Sequence, residues 1–283
     1  MQLTLSPPSV SRSGRRGKFS ERGDPPVNSV SFQKSLRYID PALPREERLL
    51  KLSAFLEEAR QLAAVPVSGF RVGAAALSPS GAVYLGANQE FAGLPLNFTV
   101  HAEQAAMVNA RSHGEKKLIA VAVSSSPCGH CRQFLQELRA PLTIFVNGQA
   151  KELSYYLPQG FTLDSSGKNL LSEGVSIETN SAEEAAAESA RRSYSPYTGT
   201  RSGMALQCGS GKIYAGSLLE SAAYNPTLTA LQCALTLRAL ENASDSIETA
   251  VLAECGKTPL TPLFRSLMVK IAPSAQLHIV ALR

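Results

Sequence analysis

The stretch from Pro66 to Glu90 recurs 130 residues later without a gap. Pro66, Gly69, Arg71, Gly73 and Ala75 return as Pro196, Gly199, Arg201, Gly203 and Ala205. Ser80, Gly81, Tyr84, Gly86 and Glu90 return as Ser210, Gly211, Tyr214, Gly216 and Glu220. Ten identities in one order commit the chain to two copies of one folding unit. A length of 283 residues is near that of two domains, and an apolar content of 44% is enough for a sizeable core. Expected boundaries are a tail over 1–40, a first unit over 41–161, a linker over 162–180 containing Asp164-Ser165-Ser166-Gly167, and a second unit over 181–283.

The net charge of +5 does not describe a basic folded surface. Arg12, Arg15, Arg16, Lys18, Arg22 and Lys34 face only Glu21 and Asp24 within residues 1–35, which leaves +1 for the rest. That segment is rich in Ser, Arg and Pro, lacks periodicity and reads as a disordered basic tail. A cleaved organellar transit segment is the alternative, against which its two acids count. No apolar core of a secretory signal follows the start, and the densest apolar run, Leu118 to Val123, is too short to span a bilayer. Five cysteines, two of them in a CxxC, point to a reducing compartment or a metal rather than a disulfide scaffold. A cytoplasmic location and no membrane partner are therefore expected.

Leu49, Leu52, Leu56, Ala59 and Ala63 recur at helical spacing, so Glu46–Ala64 reads as an amphipathic helix ended by Pro66. Strands are expected at Arg71–Leu77, Ala82–Ala87, Leu118–Ser124 and Thr143–Val146, with a hairpin turn at Ser80-Gly81. Helices fit Ala102–Ser112 and Cys128–Arg139, and Ala182–Arg192 repeats the leading helix. This order predicts an α/β fold: two tandem domains, each a mixed sheet sandwiched by helices.

His101-Ala102-Glu103 opens one expected helix and Pro127-Cys128-Gly129-His130-Cys131 the next. Cysteine and histidine are zinc ligands, and a CxxC pair can grip one ion from a single turn. The start of a helix favours thiolates, because free N–H groups stabilise negative charge there. Pro127 suits a first turn, where no N–H is needed. Three ligands, His101, Cys128 and Cys131, leave a fourth position for water, as catalytic zinc sites do. Zinc lowers the pKa of bound water to about 7, and Glu103 is near enough to His101 to take that proton and pass it on.

Singly, these features have plainer readings: a structural histidine, a redox or incidental CxxC. A redox pair would leave His101 and Glu103 unexplained. HxE followed by PCxxC, each opening a helix, is the signature of zinc-dependent nucleobase deaminases. His130 is a rival ligand that a helical turn aims away, and His113 and His278 read as surface residues.

At this point the chain resembles the cytidine deaminases, the free-nucleoside enzymes of pyrimidine salvage. The matching segments are Ser68-Gly69-Phe70-Arg71-Val72-Gly73-Ala74, Gly86-Ala87-Asn88-Gln89-Glu90-Phe91, Thr99-Val100-His101-Ala102-Glu103-Gln104 and Pro127 through Leu135. The resemblance runs from about residue 45 to the C-terminus. It is nearest to the long, two-domain, dimeric branch of the cytidine/deoxycytidylate deaminase family. It implies hydrolytic deamination of cytidine and deoxycytidine, with zinc hydroxide attacking C4 and Glu103 shuttling protons to N3 and then to the amine. It further implies that Phe70 packs on the pyrimidine, that Asn88 and Glu90 bind the ribose, that a carbonyl near Ser126 holds the amine, and that Phe161 helps close the site near a homodimer interface. A turn residue and a solvated charge are the plainer readings of Asn88 and Glu90. Val67 departs from the family, which often has Tyr there; the second copy has Tyr197.

Carried forward at offset 130, His101 maps to Leu231, Glu103 to Cys233, Cys128 to Thr258 and Cys131 to Thr261. The second copy is thus expected to be degenerate and zinc-free, giving one zinc per chain. Rival functions are a polynucleotide cytidine deaminase or a deaminase of another nucleoside-like base. A net +1 outside the tail and the absence of Trp argue against a nucleic-acid groove.

Overall fold

A computed structural model of the chain describes residues 33–163, 166–174 and 176–282. The tail expectation over 1–32 and part of the linker lie outside the described residues. From Gln33 onward the chain is built into the fold. A 3-10 turn at Gln33–Ser35 leads into β1 (Leu36–Tyr38), which pairs antiparallel with β3 (Ala82–Ala87). Ser35 and Ile39 are buried, so the tail expected through residue 40 gives way to packed chain.

The helix expected over 46–64 forms as two, α1 (Arg45–Ala54) and α2 (Leu56–Gln61). They meet at Phe55, whose N–H reaches back only three residues, to the Leu52 carbonyl. β2 (Gly73–Leu77) and β3 form the hairpin turned at Ser80-Gly81. There follow α3 (Ala102–Ser112), β4 (Ala120–Val123), α4 (Gly129–Leu135) and β5 (Thr143–Val146). β6 (Gln149–Glu152) then turns back on β5, and α5 (Leu153–Tyr156) ends the first half.

The second half repeats the core of this order. It runs α6 (Ala182–Arg191), β7 (Arg201–Cys208), β8 (Ile213–Ser217), α7 (Ala230–Asn242), β9 (Ile247–Cys255), α8 (Thr261–Ile271) and β10 (Gln276–Ala281). The sheets have strand orders β1-β3-β2-β4-β5-β6 and β10-β9-β7-β8. In each, one pair is parallel, β4 with β5 and β9 with β10, as a helical crossover allows. The four-strand core of the first sheet is the second sheet over again, as the repeat requires.

The repeated glycines mark where helices press on sheets. A Cβ on Gly86 would meet the Ala106 N at 2.2 Å, and one on Gly216 would meet the Ala234 N at 2.4 Å. No side chain fits such a gap, so both copies keep glycine there. The halves share one apolar core in which α3 and α7 pack on each other. Every residue of α3 from Ala102 to Arg111 is consequently buried.

Candidate active site

The ends of α3 and α4 converge at one end of the first sheet. His101 is the N-cap of α3, with extended backbone (φ −80°, ψ 158°), and Gln104 accepts its N–H at 3.1 Å. Cys128 is the N-cap of α4, and its sulfur accepts the Cys131 N–H at 3.5 Å. The His101 Nδ1 lies 3.5 Å from the Cys128 Sγ and 3.3 Å from the Cys131 Sγ. Tetrahedral zinc with ordinary bond lengths sets nitrogen and sulfur about 3.6 Å apart, so this donor set fits zinc in both chemistry and spacing. Hydrogen bonds from Cys131 and His101 pull the Cys128 thiol down to about 3, while sharing its proton with Cys128 pushes Cys131 up. The shift on Cys128 favours the thiolate, the form a metal takes.

Glu103 is buried on the first turn of α3. Burial pushes its carboxyl above the usual carboxylate range, against opposing hydrogen bonds from its own N–H and from Cys131. A carboxyl raised in this way suits proton transfer near neutrality.

Beside it opens a cavity of about 230 Å³ lined by Phe70, Val72, Asn88, Thr99, His101, Glu103, Ser125, Ser126 and Cys128 among others. Phe70 stands at its mouth, 63% exposed. The Asn88 side chain accepts from the Val72 N–H at 2.9 Å and donates to the Phe70 carbonyl at 2.8 Å. Glu90 sits one step behind the lining. Its carboxylate accepts from the N–H groups of Val67 and Ser68, both at 2.9 Å, and from the Ser68 hydroxyl. Burial alone would raise Glu90, but these hydrogen bonds hold it below its ordinary value. The structure thus brings together His101, Glu103, Cys128, Cys131, Phe70 and Asn88, with Glu90 holding the loop beneath Phe70.

His130 lies outside the ligand cluster, with its ring stacked on that of His101 at 4.9 Å. His113 is no free surface group: it ends α3, half-buried, 5.5 Å from the Tyr84 ring. His278 is exposed on β10, as expected. The Phe161 carbonyl accepts from Gln133 of α4 at 2.9 Å, which places that segment beside the site's helix. Two polar groups went unread in the sequence. Ser68 could have been found from the hydroxyl that the repeat keeps at Thr198. Glu137, fully buried, accepts from the hydroxyls of Tyr194 and Tyr197 of the other half, and the copy itself carries no sign of this.

The second half holds the repeat to offset 130 only as far as Glu220. Leu219 bridges Leu228 as Gln89 bridges Val100, so the intervening loop is two residues shorter. His101 therefore corresponds to Thr229, the N-cap of α7, and Glu103 to Leu231, in place of the Leu231 and Cys233 expected. Cys128, the N-cap of α4, corresponds in place to Leu260, the N-cap of α8, and not to the Thr258 expected. At the remaining positions side chains bond to one another. The hydroxyls of Thr200, counterpart of Phe70, and of Thr258, just before α8, are 2.8 Å apart. Glu254 accepts from the N–H groups of Leu260 and Thr261 and from the Ser202 hydroxyl. Among the described residues the only metal-competent cluster is His101, Cys128 and Cys131.

Two family models, both for the cytidine and deoxycytidylate deaminase zinc-binding region, match residues 47–147 and 153–262. Among solved structures, the chain is 35% identical to cytidine deaminase from Mycobacterium tuberculosis, covering 40% of this chain and 97% of that one, with a TM-score of 0.37. It is 30% identical to cytidine deaminase from Burkholderia pseudomallei, covering 40% and 98%, with a TM-score of 0.34. For the Mycobacterium leprae enzyme the identity is 31%, the coverage 38% and 96%, and the TM-score 0.36.

Proposed function

The chain belongs to the cytidine and deoxycytidylate deaminase family, and on that premise we propose that it hydrolyses free cytidine and deoxycytidine to uridine and deoxyuridine in pyrimidine salvage. One observation carries this reading. A single cavity has a zinc donor set and a buried carboxyl on its floor, and an exposed aromatic ring and an amide at its mouth.

His101, Cys128 and Cys131 would hold zinc, which when bound supplies an activated water. Glu103 takes a proton from the attacking water and gives it to ring N3 as the water oxygen bonds to C4. It then takes the second proton from the new C4 hydroxyl and hands it to the amine; the C4–N bond breaks, ammonia leaves, and a carbonyl oxygen remains at C4. Phe70 packs on the pyrimidine, and Asn88 and Glu90 receive the ribose. Three donors reach Glu90, so its carboxylate, with about four acceptor sites, keeps room for a sugar hydroxyl. A carbonyl near Ser126 faces the exocyclic amine. The reaction is that of a hydrolase acting on cyclic amidines.

The second half serves by packing. A homodimer of such chains sets four similar domains around two active sites, with Phe161 near the interface. The described residues include no helix long and apolar enough to cross a membrane. The site of action that we propose is the cytoplasm.

Ammonia release should be assayed with cytidine, deoxycytidine, adenosine and single-stranded DNA. The first two should turn over and the others should not. Turnover of the DNA alone would replace this reading with a polynucleotide deaminase.

A further inference from the structure

We propose that Ser68 is a positioning residue for the deamination reaction: its hydroxyl ties Glu90 to the backbone of Phe70 and so sets the cavity's mouth. The inference rests on the reading of Phe70 as the ring that meets the base.

The loop from Val67 to Val72 has little apolar cover, and Val67 and Phe70 are both exposed. Its shape is held by hydrogen bonds to two residues just past the end of β3, Asn88 and Glu90. Asn88 grips the far end, at Phe70 and Val72. Glu90 grips the near end, at Val67 and Ser68. Ser68 joins the two grips. Its hydroxyl donates to Glu90 and accepts the Phe70 N–H at 3.0 Å. Gly69 lies between them at φ +68°, a left-handed turn that favours glycine. One hydroxyl thus fixes both the direction of the Glu90 carboxylate and the height of the Phe70 backbone.

The second half provides an internal control. Glu220 accepts from the N–H groups of Tyr197 and Thr198 and from the Thr198 hydroxyl, and that hydroxyl accepts the Thr200 N–H at 3.0 Å. The hydroxyl–carboxylate relay is therefore present in a half whose described residues hold no metal-competent cluster, and Thr performs it as well as Ser. Asn88, by contrast, is replaced by Leu218. The relay shapes the loop, and only in the first half does the loop carry an aromatic ring to a cavity.

The test compares Ser68→Ala, Ser68→Thr and Thr198→Ala in the full zinc-loaded chain. Ser68→Ala should raise KM for cytidine about ten-fold or more, the scale of one hydrogen bond to a charged group, with kcat within about two-fold. Ser68→Thr should restore KM, and Thr198→Ala should leave it unchanged. Hydrogen exchange should speed at the Ser68 and Phe70 amides in Ser68→Ala alone. An unchanged KM, a fall in kcat with zinc loss, or amide exchange equal to wild type would overturn the proposal. If the unaltered chain turns over no cytidine, the deaminase reading fails instead, and amide exchange still reports on the relay.

Discussion

Gln104 and Gln232 each reach across the contact between the halves to the same point on the other: Gln104 donates to the Pro226 carbonyl at 2.8 Å and Gln232 to the Phe98 carbonyl at 3.0 Å. Both residues are third in their helix, both accept the N–H of their own N-cap, and their targets are related by the same shift of 128. The halves therefore meet as an isologous pair does, within one chain.

Removing either amide strands a carbonyl. Gln104→Ala and Gln232→Ala should each cost about 1–3 kcal/mol in urea unfolding. Only Gln104→Ala should also hasten zinc loss to a chelator, because only Gln104 holds a metal ligand's backbone.

Elemental analysis should find about one zinc per chain, as one intact donor set implies. Glu103→Gln should keep that zinc while turnover falls by about 10²–10⁴, the usual reach of acid–base catalysis.

Thiol reagents should distinguish the cysteines by cover. Burial pushes Cys208 up to about 11 and Cys233 up to about 12, so both should stay unreactive in the native chain. Exposed Cys255 should react at once. Cys128 should join it only after a chelator strips the zinc, which a timed colorimetric titration would follow.

Stability should fall at both ends of the pH scale. Glu90 is held below its ordinary 4.5, so its contribution is full above the unfolded value and is lost as pH falls through the lower folded one. The stability gap between wild type and Glu90→Gln should accordingly shrink in acid. Tyr84, Tyr194 and Tyr214 are raised, by burial first and nearby acidic groups second. Their contribution is full below about 10 and is lost as pH rises beyond it. Urea titrations across pH and ultraviolet titration of phenolate would check both.

A chain ending at residue 180 would keep every zinc ligand but strip the cover from α3, whose residues 102–111 are buried in the shared core. Light scattering should show aggregation, and activity should be lost.

The clustering of His101, Cys128 and Cys131, the place of Glu103 beside them and the repeated sheet were legible because their signals are local: spacing along a helix, or a glycine under one. β6 is exposed throughout and has no apolar alternation to betray it. Its turn, Asn147-Gly148, with both φ values positive, was the available signal. The break at Phe55 was not legible, since Leu49 through Ala63 keep their helical spacing across it. The shortened loop before α7 did leave a mark: Asn97, Thr99, Ala102, Gln104 and Ala106 return as Asn225, Thr227, Ala230, Gln232 and Ala234 at a shift of 128. Carrying the offset of 130 forward past Glu220 passed over them.

In the second half the side chains of Thr200, Ser202, Glu254 and Thr258 are laced together, and among the described residues only the first half holds a metal-competent cluster, so the proposed reading gives each chain one place for a nucleoside. Ligand uptake by an isolated chain is then hyperbolic, with no partner site to sense it. In a pair of chains, homotropic coupling could raise a Hill coefficient no higher than two, where four working copies would allow four. On that reading the second copy adds neither chemistry nor a further site to couple.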